Sequence, residues 1–108
     1  MSKPTIHKTA LVETDQIGDD TKIWAFAHVM AGAVIGADCN IGDHAFIETG
    51  AKVGNGVTIK NNALIWKGVH IADYVYIGPN VVCTNDCNPR SARMPLMKQK
   101  GLAEKDWL

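Results

Sequence analysis

The sequence predicts an all-β chain wound as a single-stranded parallel β-helix, and three observations predict it. Starting at Ile17 and stepping by six gives Ile23, Val29, Ile35, Ile41, Ile47, Val53, Ile59, Ile65, Ile71 and Ile77, every one of them isoleucine or valine. Four positions after each lies Thr21, Ala27, Ala33, Cys39, Ala45, Ala51, Val57, Ala63, Val69, Val75 and Val81, a second column of small or β-branched side chains. Glycine follows the aliphatic residue at Gly18, Gly36, Gly42, Gly54 and Gly78. A helix turning about 100° per residue would scatter such a repeat over opposite faces. Short strands joined by tight corners keep it on one side, and repeats of hexapeptide length mark a parallel β-helix.

Within each hexad the β-branched residues suit a strand, the small residues suit a cramped interior corner, and glycine and asparagine suit turns. If three hexads make one triangular coil, residues three hexads apart stack: Ile17, Ile35, Val53 and Ile71 on one side, Ile23, Ile41, Ile59 and Ile77 on the next, and Val29, Ile47, Ile65 and Cys83 on the third. Upstream, Ile6 and Val12 keep the step, but the spacing from Val12 to Ile17 is one short of a hexad, so one residue is missing at a corner. At about 4.8 Å between stacked strands, four to five coils make a prism roughly 20 Å tall. The hexads end at Cys83, which divides the chain into a β-helix over 1–83 and a loop with a short helical tail over 84–108. In that tail, MPLMKQKGLAEKDWL, Gly101 interrupts helix-forming residues, and Leu96, Met97, Leu102 and Trp107 are expected to cap the solenoid's lower edge.

The chain of 108 residues is one small domain, close to the size at which a core only just outweighs chain entropy. Flat outer faces packing into an oligomer would help, and cyclic symmetry matches a triangular prism, so a homotrimer is expected. Eleven basic residues balance eleven acidic ones, leaving no long-range field to draw the protein to nucleic acid or an anionic membrane. The most apolar stretch, IWAFAHVMAGAVIGA, is shorter than the roughly 20 residues of a bilayer helix and contains His28. No membrane span is read, and an N-terminus without an apolar signal core makes the cytoplasm the expected compartment. Cys39, Cys83 and Cys87 are odd in number and lack zinc-ligand spacing, so reduced thiols are expected.

Two groups of polar residues stand out from the repeat. The stretch CTNDCNPR at 83–90 crowds Asn85, Asn88, Pro89 and Arg90 where the hexads stop. Asparagine and Asn-Pro also favour turns for local reasons, and an arginine also solvates a surface. The coil-to-coil step puts Phe26, His44, Asn62 and Asn80 in one column, which reads either as a polar ladder for hydroxyls or phosphate or as corner residues bonding the backbone.

The array from Ile17 to Val82 resembles the left-handed β-helix of hexapeptide acyltransferases. The runs IGDDTKIW and KNNALIWKGVHIADYVYIGPNVVCTNDCNPR resemble, more narrowly, the nucleotide-linked amino-sugar N-acetyltransferases, over nearly all of residues 5 to 93. The resemblance implies a left-handed coil, acetyl-CoA as acyl donor, the 3-amino group of a UDP- or dTDP-linked sugar as acceptor, a role in surface-polysaccharide synthesis, and sites between the subunits of a trimer. It puts Asn85 beside the amine nucleophile as the catalytic residue. Arg90 would pair with a phosphate or carboxylate of the sugar nucleotide, and Asn88 and Pro89 would fix the loop. Asn62 and His44, in the polar column, are the remaining substrate-binding candidates. His44 is the histidine best placed to act as a base, but the resemblance implies that the neutral amine attacks the thioester directly, which favours a groove or surface residue over a base there. No metal is expected. The family resumes its hexads after the loop and carries much of its CoA site there, whereas EKDWL falls about where they would begin.

Two other functions fit the fold. A structural β-helix would build a scaffold and bind no small molecule. A zinc-dependent carbonic anhydrase of the γ class shares the fold and binds metal through three histidines, but His7, His28, His44 and His70 are widely separated.

Overall fold

The computed structural model describes residues 2–85, in which thirteen two-residue strands, numbered in chain order, line three faces. The first face carries β1 (Thr5–Ile6), β3 (Lys22–Ile23), β6 (Asn40–Ile41), β9 (Thr58–Ile59) and β12 (Tyr76–Ile77). The second carries β2 (Leu11–Val12), β4 (His28–Val29), β7 (Phe46–Ile47), β10 (Leu64–Ile65) and β13 (Val82–Cys83). The third carries β5 (Val34–Ile35), β8 (Lys52–Val53) and β11 (His70–Ile71), with Ile17 bridged onto Ile35. All pairing is parallel, and the described residues form the β-solenoid that the six-residue period predicts.

Register follows the predicted step. Ile23 pairs with Ile41, Ile47 with Ile65 and Val53 with Ile71, each partner three hexads on. At the top, Ile6 pairs with Ile23 and Val12 with Val29, one short of three hexads, while Ile17 meets Ile35 at the full step. The missing residue therefore lies between Val12 and Ile17, as their shortened spacing requires.

Strand side chains alternate in direction, so the second residue of each strand points inward and the first outward. The inward aliphatics from Ile23 to Ile71 are buried together with Ala27, Ala33, Cys39, Ala45, Ala51, Val57 and Ala63. The two sequence columns are thus the two inward positions of every hexad. Alanine recurs in the second column because chain segments converge there and leave little room. Where Thr21 takes that place, its hydroxyl donates to the Gly36 carbonyl at 2.7 Å and accepts the Cys39 amide at 3.1 Å, so the buried oxygen is satisfied.

Three kinds of corner join the faces. The third-to-first corner turns through Asp20, Asp38, Gly56 and Tyr74, and the first-to-second through Phe26, His44, Asn62 and Asn80, all with φ between 56° and 66°. The second-to-third corner turns through Gly32, Gly50 and Gly68, with φ of 82–84°. The glycines that follow the aliphatic residues, expected from sequence to serve turn conformation, do not have positive φ; Gly18, Gly36, Gly42 and Gly54 instead admit close approach from the coil below. Among the described residues no helix is long and apolar enough to cross a membrane.

Candidate functional site at the second face and its corners

Hydrogen bonding at the corners sorts the polar candidates. In the first two corner types the amide of the left-handed residue donates to a carbonyl in the coil above: His44 to Ala25 at 3.0 Å, Asn62 to Asp43 at 3.0 Å and Asn80 to Asn61 at 3.0 Å. His44 and Asn62 therefore do stack in one column at the first-to-second corner. Their backbones hold the coil while their side chains face solvent. The coil-to-coil bonds of that column are thus made by backbone amides.

A second ladder uses side chains. Asn55 Oδ1 accepts the Ala37 amide at 2.8 Å, Asn61 Oδ1 the Asp43 amide at 3.1 Å, and Asp73 Oδ1 the Asn55 amide at 2.8 Å. Each oxygen rises from the coil below into the space left by a missing Cβ: one built on Gly36, Gly42 or Gly54 would stand 2.3–2.4 Å from it.

At the second-to-third corner the pattern changes. Gly50 donates to Gly32 and Gly68 to Gly50, one position out of step with the other corners. Asn85 lies one coil below Lys67, and its Nδ2 donates to the Lys67 carbonyl at 2.8 Å. The direction of that carboxamide is fixed chemically, because a carbonyl only accepts. Asn85 is buried, 7% exposed, and no hydrogen bond from a described residue reaches its Oδ1. The Lys67 amide is occupied from above by Glu48 Oε1 at 2.7 Å, a short bond to a carboxylate.

Both polar corners border the second face. Its outward positions are mostly apolar: Leu11, Phe46, Leu64 and Val82 in one column with His28, Met30 and Trp66 in the next with Glu13, Glu48 and Thr84. His28 Nε2 lies 2.8 Å from Glu13 Oε1, and its ring stands edge-on to Phe46 with centroids 5.5 Å apart. Burial pushes the thiol of Cys83, two positions before Asn85, above the ordinary thiol range, which favours the protonated, weakly nucleophilic form. Among the described residues no three His, Cys, Asp or Glu side chains come together as a metal site.

Of the predicted site residues, Asn85 stands at one corner and His44 and Asn62 at another, separated by the width of the second face. Asn88, Arg90, Cys87 and the tail with Leu96, Met97, Leu102 and Trp107 lie outside the described residues. Glu48, Trp66 and Lys67 escaped the sequence reading. For Lys67 the signal was available, since it lies one coil back from Asn85.

Comparison with known proteins agrees with this architecture. A family model described as bacterial transferase hexapeptide (six repeats) matches residues 16–49 and 50–85, more than half of the chain. A 31-residue stretch is 53% identical to dTDP-3-amino-3,6-dideoxy-alpha-D-galactopyranose 3-N-acetyltransferase of Aneurinibacillus thermoaerophilus, covering 29% of this chain and 16% of that protein.

Proposed function

The chain belongs to the bacterial transferase hexapeptide family, and from that premise we propose that it is an N-acetyltransferase moving acetyl from acetyl-CoA to the 3-amino group of a dTDP- or UDP-linked amino sugar. The observation that carries the reading is Asn85: a buried carboxamide held by its nitrogen, with its carbonyl end unclaimed among the described residues. An acceptor amine that donates one N–H to that oxygen has its lone pair aimed away from it, towards an incoming thioester carbon. Attack forms the C–N bond and breaks the C–S bond; the amine proton leaves for the CoA thiolate or solvent. Orientation of this kind is a large share of catalysis for such a reaction. The acetylated sugar of the partial relative is a dTDP-linked 3-amino hexose by its name, which puts that class first in the panel.

The protein is a cytoplasmic homotrimer in this reading. Packing through the mostly apolar second face brings the corner of one copy that carries His44 and Asn62 towards the corner of the next that carries Asn85, so the sugar nucleotide lies between them. Asn88 and Arg90 complete the site, with the guanidinium on a phosphate or carboxylate.

The experiment is thiol release from acetyl-CoA with a panel of dTDP- and UDP-linked 3-amino sugars and no added zinc. Release with one acceptor is expected. A chain that bound neither acetyl-CoA nor any sugar nucleotide would overturn the reading and leave a structural solenoid.

A further inference from the structure

Of the asparagines in the chain only Asn55 is followed by glycine. An asparagine in that setting is the one most prone to lose its side-chain amide spontaneously, because a residue without Cβ leaves its backbone nitrogen unhindered and free to fold back. In the reaction the Gly56 nitrogen gives up its hydrogen to a solvent base and attacks Asn55 Cγ. The new C–N bond forms, the bond from Cγ to Nδ2 breaks, and ammonia leaves. Water then opens the resulting succinimide at either carbonyl, giving aspartate or isoaspartate. Asn55 is exposed at the third-to-first corner, so water reaches it, and Gly56 carries the left-handed turn there with φ of 66°.

Both groups that must react are bonded to the coil above. Asn55 Oδ1 accepts the Ala37 amide at 2.8 Å, and the Gly56 amide donates to the Ala37 carbonyl at 2.9 Å. Ala37 thus holds the electrophile and the nucleophile by separate bonds. From below, Asp73 Oδ1 accepts the Asn55 amide at 2.8 Å and the Asn55 carbonyl accepts the Tyr74 amide at 2.8 Å. The Tyr74 ring lies against Gly56, where an added Cβ would stand 2.6–2.7 Å from its carbons. Attack requires the Gly56 nitrogen to release its hydrogen and the carboxamide to turn its face to that nitrogen. The first breaks the bond to the Ala37 carbonyl, and the second breaks the bond to the Ala37 amide.

We propose that Asn55 is a latent deamidation site held shut by Ala37, so that the chain modifies itself only when the coils carrying Ala37 and Asn55 have come apart. The two products differ in consequence. Asp73 caps the Asn55 amide with a carboxylate oxygen, so an aspartate at 55 has the means to keep the cap on Ala37. Isoaspartate routes the main chain through Cγ and lengthens the hexad between Val53 and Ile59, which pair with Ile35 and Ile41 above. A coil that opens and ages in that way cannot close again in register. The inference stands apart from the acetyl-transfer reading.

The full chain is aged at mildly alkaline pH, folded and in urea, and deamidation at each asparagine is followed by peptide mass mapping. Asn55 should be the fastest site in urea and at least about 10-fold slower in the folded chain, because modification then tracks a small open population. Equal rates in the two conditions overturn the closure. Ala37→Pro removes the amide that Asn55 caps, and the corner suits it: Pro79 precedes left-handed Asn80 as Ala37 precedes left-handed Asp38. Asp43→Pro removes the matching amide above Asn61 and leaves the Ala37 bonds in place, so it controls for general loosening. Asn55 should age about fivefold faster in Ala37→Pro than in the wild-type chain, the population shift expected of one lost hydrogen bond. In Asp43→Pro it should keep the wild-type rate. Acceleration in both variants, or in neither, overturns the proposal. Should Ala37→Pro not fold, the wild-type chain still decides: ageing of Asn55 that rises through low urea in step with hydrogen exchange of the Gly56 amide supports the closure, and ageing that ignores that exchange overturns it.

Discussion

The rings of Phe26 and His44, one coil apart at the first-to-second corner, stack with centroids 5.1 Å apart and planes inclined by 16°. Both residues carry left-handed backbone, with φ of 58° and 60°. Such a conformation costs a bulky residue about 1–2 kcal/mol, while an aromatic stack returns about 0.5–1.5 kcal/mol. The two effects nearly cancel. Phe26→Asn, which trades the stack for a residue at ease in this conformation, should therefore change unfolding free energy in urea by less than about 1 kcal/mol. A larger loss would mean that the 58% exposed ring is held by more than His44.

Gly42 and Asn61 act as a pair. Gly42→Ala puts a Cβ about where Asn61 Oδ1 sits and strips the cap from the Asp43 amide, for an expected loss of about 2 kcal/mol. Asn61→Ala removes the cap without a clash and should cost about 1 kcal/mol. In the double variant the clash with the oxygen is gone and only the backbone of Lys60 and Asn61, 2.9 Å from the added Cβ, still crowds it, so the sum of the single effects should exceed the double; additivity in thermal or urea denaturation would show that the glycine serves that backbone approach and not the oxygen.

Cys39 is buried, and its Sγ faces the Gly54 carbonyl at 3.1 Å. Desolvation pushes its thiol up from the ordinary range, outweighing hydrogen bonds that act the other way. A folded state that retains the proton more strongly contributes stability that is complete below the unfolded thiol value and lost as pH rises from there towards the folded one. Stability should thus decline on the alkaline side, and Cys39→Ala should flatten that decline, as the slope of unfolding free energy against pH will show. Native Cys39 should also resist alkylation at mildly alkaline pH and react on unfolding.

Asn85→Ala should lower kcat by about two orders of magnitude, since it removes the group proposed to orient the amine. Circular dichroism and the size of the assembly should not change, because the lost bond to Lys67 lies at a corner and not in the core. An undiminished rate would remove Asn85 from the mechanism.

The coil was legible because each hexad spends two of its positions on the interior, and that interior accepts so few side-chain shapes that Ile, Val and Ala recur almost without exception. Even the shortened first step could be read from the distance between Val12 and Ile17. The corners were less transparent. Phe26 and Tyr74 stand in left-handed backbone where propensity would place Gly or Asn, because cross-coil hydrogen bonds dictate the turn regardless of the residue. The role of the glycines after the aliphatics was misread for a related reason: a clash with a side chain of the next coil is invisible to local turn preferences. The orientation of Asn85 follows from its bond to the Lys67 carbonyl one coil away, a partner that local turn preferences do not reveal.

Every strand pair among the described residues joins one coil to the next, and none spans a longer stretch of chain. A gene that gains or loses the codons of three hexads in frame therefore adds or deletes one whole storey and leaves the contacts within the storeys above and below intact. An insertion of one or two codons can be absorbed only at a corner, as the shortened step before Ile17 illustrates. Height is thus an almost free variable for such a molecule, while its cross-section is fixed, and lineages can lengthen or shorten the second face without redesigning the strands that build it.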